Sequence, residues 1–178
     1  KEADALVFFG ATGDLAYKKI FPALQAPAKR GNLSVPVIGV AKAGWTLDQL
    51  KSRARESVEN YGGLDPAAFA QLSRCLRYID GDYADPATFQ LLRRELADAK
   101  HPLHYLAIPP SLFEIVIHQL GESGCANGGR VVIEKPFGRD LATAQMLNSV
   151  VHNSFSEENV FRIDHYLGKN TVQNLLFF

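Results

Sequence analysis

Strand–helix alternation along most of the chain predicts an α/β fold, a doubly wound parallel sheet with helices on both faces. Short apolar runs rich in Val, Ile, Leu and Phe recur without polar alternation, as strands buried on both faces require. Amphipathic stretches of helical length separate them. A glycine-containing turn joins the first apolar run to the first of these stretches.

Leu6-Val7-Phe8-Phe9 reads as the first buried strand. A helix follows from Asp14 to Lys29, with Pro22 as a kink or early break, because proline lacks the N–H that the helical ladder needs. Val35-Pro36-Val37-Ile38-Gly39-Val40-Ala41 is the second strand. The helix from Leu47 to Tyr61 opens on Thr46, whose hydroxyl can accept a first-turn N–H. Asp65 caps a helix from Pro66 to Arg74, with proline at the first position, where its missing N–H costs nothing. Leu76-Arg77-Tyr78-Ile79 is a short strand, and Asp85 caps a helix from Pro86 to Ala99. The strand Leu103-His104-Tyr105-Leu106-Ala107-Ile108 is stopped by Pro109-Pro110, and Ser111 is expected to cap the helix that runs to Ser123. Arg130-Val131-Val132-Ile133-Glu134 is a strand, Asp140 to Asn153 a helix and Val160-Phe161-Arg162-Ile163 the sixth strand; a last helix is expected from Lys169. Gly62-Gly63 and Gly128-Gly129 punctuate loops.

The 178 residues suit one domain with a substantial core, spanning 1–178. The formal net charge is zero, so no global field favours nucleic acid or an anionic membrane, and neither is expected as a partner. Cys75 and Cys125 are too few for a disulfide framework and are expected to be reduced. No His/Cys spacing suits zinc, so no metal is expected. His101 and His104 are interrupted by Pro102 and read as loop or strand-start residues; His118 and His152 read as helix-surface or partly buried. No run of about 18 apolar residues occurs. Charge at Lys1-Glu2-Ala3-Asp4 leads directly into a strand, unlike a signal peptide, and a cytoplasmic protein is expected. The missing initiator Met and the apolar end Leu175-Leu176-Phe177-Phe178 are expected of a chain cut from a larger protein.

Gly10-Ala11-Thr12-Gly13-Asp14-Leu15-Ala16 follows the first strand and opens a helix, the context of a dinucleotide fingerprint in the spacing G-x-x-G-x-x-A. Small residues permit a tight turn close to a pyrophosphate, and the helix N-terminus offers it N–H groups and a positive dipole end. The fold is therefore read as Rossmann-like. NAD-specific sites carry an acidic residue after the second strand. Here the residues are Ala41-Lys42-Ala43. Lys42 would attract a 2′-phosphate and the Thr12 hydroxyl could bond it, so NADP is the expected cofactor. Arg162-Ile163-Asp164-His165-Tyr166-Leu167-Gly168-Lys169 mixes cations, a carboxylate, a histidine and a tyrosine beside a glycine, poor material for a core but suited to an anionic substrate and an acid–base group. Glu134-Lys135-Pro136-Phe137-Gly138 is the third such segment.

These three segments resemble the coenzyme, second and substrate-site signatures of the glucose-6-phosphate dehydrogenase family, and Ala107-Ile108-Pro109-Pro110 resembles its nicotinamide region. The resemblance covers essentially the whole chain. It implies oxidation of glucose 6-phosphate at C1 with hydride transfer to NADP, giving the 6-phospho-lactone at the entry to the pentose phosphate pathway. It implies that Gly10, Ala11, Thr12, Gly13, Asp14 and Leu15 line the coenzyme turn, with Tyr83, Ala107 and Pro109 towards the nicotinamide. Lys42 stands where the family usually has arginine, a planar fork replaced by a point charge. Lys135 is implied at both the coenzyme and the sugar, as a catalytic residue. His165, Tyr166, Lys169 and Lys19 are implied at the substrate phosphate. Asp164 is implied to orient a general-base histidine, which in the family lies in a larger C-terminal α+β domain absent from this chain; the piece alone is expected to bind coenzyme without turnover. A homo-oligomer is implied for the full-length enzyme.

Two other oxidoreductase readings fit less well. A glucose–fructose oxidoreductase type also pairs a Rossmann domain with a Glu-Lys-Pro turn, but a phosphate clamp is pointless for an unphosphorylated sugar. A short-chain dehydrogenase needs Y-x-x-x-K, whereas Tyr166 and Lys169 are spaced Y-x-x-K.

Overall fold

A computed structural model of the chain describes residues 1–164 and residue 174. Six strands form one wholly parallel sheet: β1 (Ala5–Phe9), β2 (Val37–Ala41), β3 (Leu76–Asp80), β4 (Pro102–Leu106), β5 (Arg130–Glu134) and β6 (Val160–Ile163). Their order is β3-β2-β1-β4-β5-β6. The order reverses between β1 and β4, and that switch point opens a crevice at the carboxyl ends of the strands, where α/β sheets bind ligands.

The helices are α1 (Phe21–Lys29), α2 (Leu47–Tyr61), α3 (Pro66–Cys75), α4 (Pro86–Leu96), α5 (Phe113–Glu122) and α6 (Leu141–Ser154). Side chains alternate across β1. Leu6 and Phe8 pack with Phe21, Leu24, Leu50, Val58 and Leu72, from α1 to α3. Val7 and Phe9 pack with Phe89, Leu92, Phe113, Val116 and Val151, from α4 to α6. The sheet is therefore dry on both sides, and its alternating residues serve two separate cores. This explains why β1, β2 and β4 are buried at every position.

The first helical stretch begins at Asp14 and widens into a π turn over Ala16–Ile20 before α1. The Phe21 N–H donates to the Ala16 carbonyl, five residues back. Pro22 follows at once; it has no N–H to give the ladder and its ring crowds the carbonyl four residues earlier. The helix continues past Pro22 to Lys29, widened rather than broken. Thr46 and Asp140 close full capping boxes on α2 and α6, and the Asp65 and Asp85 side chains cap α3 and α4.

Some expectations are corrected. Ser111 caps nothing: Pro109-Pro110 lead into a 3-10 turn over Pro110–Leu112, and α5 starts at Phe113 without a side-chain cap. The helix expected to reach Ala99 stops at Leu96, because Ala97 turns to φ 46° and ends the helical path. His104 lies inside β4, fully buried, rather than at a strand start. Its Nε2 is 2.8 Å from the Cys125 carbonyl, and burial pushes its pKa down to about 4. Both cysteines are free, Cys125 buried and Cys75 half-buried. The helix expected from Lys169 lies outside the described residues.

Candidate coenzyme and substrate site

The crevice is built from strand ends brought level by the register of the sheet. Phe9 pairs with Val40 on one side and Leu106 on the other. Gly10 therefore emerges beside Ala107. Gly10 has φ 80°, and a Cβ placed there would lie 2.0 Å from the Ala107 carbonyl oxygen. Only glycine permits this approach, which brings the first turn against the end of β4.

The turn is held from within. The Gly10 and Ala11 N–H groups both donate to the Val40 carbonyl (3.0 and 3.3 Å), and the Gly13 N–H donates to the Gly10 carbonyl (3.0 Å). The Gly10 N–H also meets the Tyr83 hydroxyl at 2.8 Å, and that hydroxyl donates to the Val40 carbonyl at 3.1 Å. Burial pushes the Tyr83 phenol up to about 12, so it stays a neutral donor. Ala11 is buried, and its methyl lies where it would crowd any Cβ on Gly39. Its side chain is a spacer beneath the turn.

Thr12, Asp14 and Leu15 stand at the head of the helix, where N–H groups lack intrahelical acceptors. The combination of a bare Gly10, a tight turn and an open helix head fits a pyrophosphate. Ala16 is fully buried and lets the helix lie close to the sheet. Lys18 is exposed and Lys19 half-buried, both on the π turn.

At the other end of the crevice, Lys42 follows β2 and is not a lone surface charge. Its Nζ lies 2.7 Å from Asp82 Oδ2. The hydrogen bond and charge of Asp82 raise the Lys42 pKa, and the same bond, with the Ala84 N–H, holds Asp82 below the ordinary carboxylate range. Asp80 Oδ1 accepts the Tyr78 hydroxyl (2.6 Å) and the N–H groups of Ala43 and Gly44 (both 2.9 Å), which lower its pKa. Behind this loop the Arg53 guanidinium stacks on Tyr17, 4.4 Å from the ring centroid, and lies 5.8 Å from that of Trp45.

On the far side of the switch point, Glu134 pairs with Ile163, and the Lys135 N–H donates to the Ile163 carbonyl at 2.9 Å. Lys135 and Asp164 thus leave adjacent strands together, and both are exposed. The Lys135–Pro136 peptide is cis. Beneath it, the Tyr105 hydroxyl donates to the buried Glu134 carboxylate, and burial raises the Tyr105 pKa. Pro109 is exposed, three residues beyond the end of β4, and its carbonyl accepts the Leu112 N–H. His165, Tyr166 and Lys169 lie outside the described residues.

Among the described residues no group of three or more His, Cys, Asp or Glu could hold a metal, and no helix is long and apolar enough to cross a membrane. A depression of about 640 Å³ lies between α1 and the α2–α3 loop, lined by Pro22, Gln25, Lys29 and Gly63. Helices return antiparallel to the strands, so this depression is at the opposite end of the sheet from Gly10.

Four contributors were not picked out from the sequence. Gly39 interrupts an apolar strand, and such a glycine marks close approach. Asp80 and Asp82 follow the third apolar run, but their partners are about forty residues upstream. Tyr105 looked like one more strand aromatic.

The family profile for "Glucose-6-phosphate dehydrogenase, NAD binding domain" matches residues 7–174. A glucose-6-phosphate 1-dehydrogenase of Mycobacterium bovis is 39% identical over 97% of this chain and 37% of its own length. The structure of the Mycobacterium avium enzyme superimposes with a TM-score of 0.88 at 41% identity, over 94% of this chain and 37% of that one. A glucose-6-phosphate dehydrogenase solved with its substrate glucose 6-phosphate gives a TM-score of 0.82 at 34% identity, over 99% of this chain and 40% of its own. The chain therefore spans well under half the length of these relatives. With a six-stranded parallel sheet, a glycine turn at its switch point and a matched profile over nearly all its length, the chain belongs to the glucose-6-phosphate dehydrogenase family, as its NAD-binding domain.

Proposed function

We propose that this chain is the coenzyme-binding part of an enzyme that oxidises D-glucose 6-phosphate at C1 to 6-phospho-D-glucono-1,5-lactone, the entry step of the pentose phosphate pathway. The observation that carries the reading is the register that brings Lys135 and Asp164 out side by side, across the switch point from Gly10. NADP, when bound, would accept the hydride.

In this reading Gly10, Thr12, Gly13, Asp14 and Leu15 cradle the pyrophosphate, Ala11 sets the depth of the turn, and Lys42 meets the 2′-phosphate. Tyr83, Ala107 and Pro109 border the nicotinamide end. Lys135 reaches coenzyme and sugar, while Lys19, His165, Tyr166 and Lys169 hold the substrate phosphate. Asp164 orients a histidine that takes the C1 hydroxyl proton, sets its tautomer and stabilises its charged form. A homo-oligomeric, cytoplasmic enzyme belongs to the same reading, supported by family membership alone.

The test is the full-length enzyme, assayed for NADPH formation with glucose 6-phosphate. Turnover is expected with this sugar phosphate, and Asp164→Asn should lower kcat by about 10²- to 10⁴-fold if base catalysis is lost. No NADP-linked oxidation by the intact enzyme would end the reading. For the chain alone, a coenzyme-binding module without turnover is favoured by one observation. Among the described residues, His101 precedes β4, His104 is buried within it, His118 lies on α5 and His152 near the end of α6. None is at the strand ends beside Asp164.

A further inference from the structure

Lys42 and Asp82 form an exposed pair, with 70% and 46% of their side-chain surfaces open to solvent. Such a pair adds little to folding. Yet the Asp82 carboxylate is carefully anchored. Its Oδ1 accepts the Ala84 N–H at 2.9 Å, and its backbone carbonyl accepts the buried Thr88 hydroxyl at 2.8 Å and the Asp85 N–H at 3.1 Å. Gly81 beside it leaves no room for a side chain, since a Cβ there would lie 2.3 Å from Thr88 Oγ1. The carboxylate is thus fixed to the head of α4 and aimed back at the loop after β2.

Its neighbour Asp80 occupies the Ala43 and Gly44 N–H groups. All three of these anion-seeking groups after β2, one ammonium and two amides, are already answered by carboxylates. A 2′-phosphate arriving at Lys42 must share that ammonium with Asp82, a like charge within a few ångströms. A 2′-hydroxyl has no such conflict, because it can donate to a carboxylate.

We propose that Asp82 is a coenzyme-selecting residue, competing with the 2′-phosphate of NADP for Lys42 and so keeping NAD usable by the same site. This rests on the reading of Lys42 as the 2′-phosphate contact. Asp82→Asn keeps the side-chain oxygen for the Ala84 N–H, and removes both the charge and the oxygen that accepts from Lys42.

The experiment uses the full-length enzyme and compares kcat/KM for NADP and NAD in wild type, Asp82→Asn, Lys42→Ala and the double variant. The ratio of the two constants cancels general damage to the fold. Asp82→Asn should raise the NADP:NAD ratio about three- to tenfold, with the gain shrinking at high salt. Lys42→Ala should lower the ratio, and Asp82→Asn should then have a smaller effect. Adenosine 2′-monophosphate should inhibit Asp82→Asn more strongly than wild type, whereas inhibition by adenosine, whose 2′-hydroxyl can only lose a carboxylate acceptor, should not strengthen. An unchanged ratio in Asp82→Asn, with a collapsed ratio in Lys42→Ala, overturns the role of Asp82 and leaves Lys42 on the phosphate. An unchanged ratio in Lys42→Ala overturns both.

Discussion

Two residues illustrate how a single atom decides local behaviour. At Gly10 the deciding atom is the missing Cβ, which would lie 2.0 Å from a backbone oxygen. Gly10→Ala must either push β4 away or lose the positive φ, a strain of about 1–3 kcal/mol. In the full-length enzyme it should weaken NADPH binding about tenfold or more, as read by fluorescence titration. Unaltered affinity would mean the turn is not the coenzyme cradle. At His104 the deciding event is protonation. Its folded pKa, about 4, lies below the ordinary 6.5. The unfolded chain takes up the proton first as pH falls. The stability from keeping this ring neutral is complete above about pH 6.5, declines with acid, and stops declining near the folded value. Between about pH 7.5 and about pH 5 the loss should be about 2 kcal/mol. Urea midpoints at the two pH values measure it. His104→Gln should flatten the difference, even if it lowers stability at both; an undiminished difference would assign the acid loss elsewhere.

At the scale of the element, caps and strands were readable because their signals are local. The Thr46 hydroxyl and the Gln49 side chain satisfy each other's backbone N–H groups. Thr46→Ala should therefore cost about 1 kcal/mol, measurable by chemical denaturation, and no loss would mean the loop supplies another acceptor. Asp65 and Asp85 announce their helices in the same way, whereas Asp140, expected as the first helical residue, is the cap of α6. The misreadings have equally local causes. Ser111 had the chemistry of a cap but followed two prolines that set a 3-10 turn first. Nothing before Ala97 forewarns of its positive φ. Pro22 reads as a kink or early break, and the chain absorbs it by widening the preceding turn. The Lys42–Asp82 and Tyr83–Gly10 contacts join residues about forty and seventy apart in sequence. No window of neighbouring residues contains either pair, so the candidate site could be read by its motifs but not by its internal bonds.

At the scale of the molecule, the candidate contacts among the described residues belong to one end of the sheet, because parallel strands deliver their carboxyl ends together. Coenzyme added to the full-length enzyme should slow hydrogen exchange at residues 10–16, 42–46, 81–84 and 107–110. The depression near Gly63 and Lys29 should be unaffected. Protection centred on that depression would move the binding site to the wrong end of the fold. The Tyr83 hydroxyl meets Gly10 and Val40 at a single point, so three separated stretches of chain must all be folded before the cradle exists. A ligand that recognises only this assembled state draws the whole folding equilibrium towards itself. At about 100 times its dissociation constant it adds about 2.7 kcal/mol to the cost of unfolding. A dinucleotide bound there would then act as a structural part of the domain, its concentration setting how much of the chain stays folded.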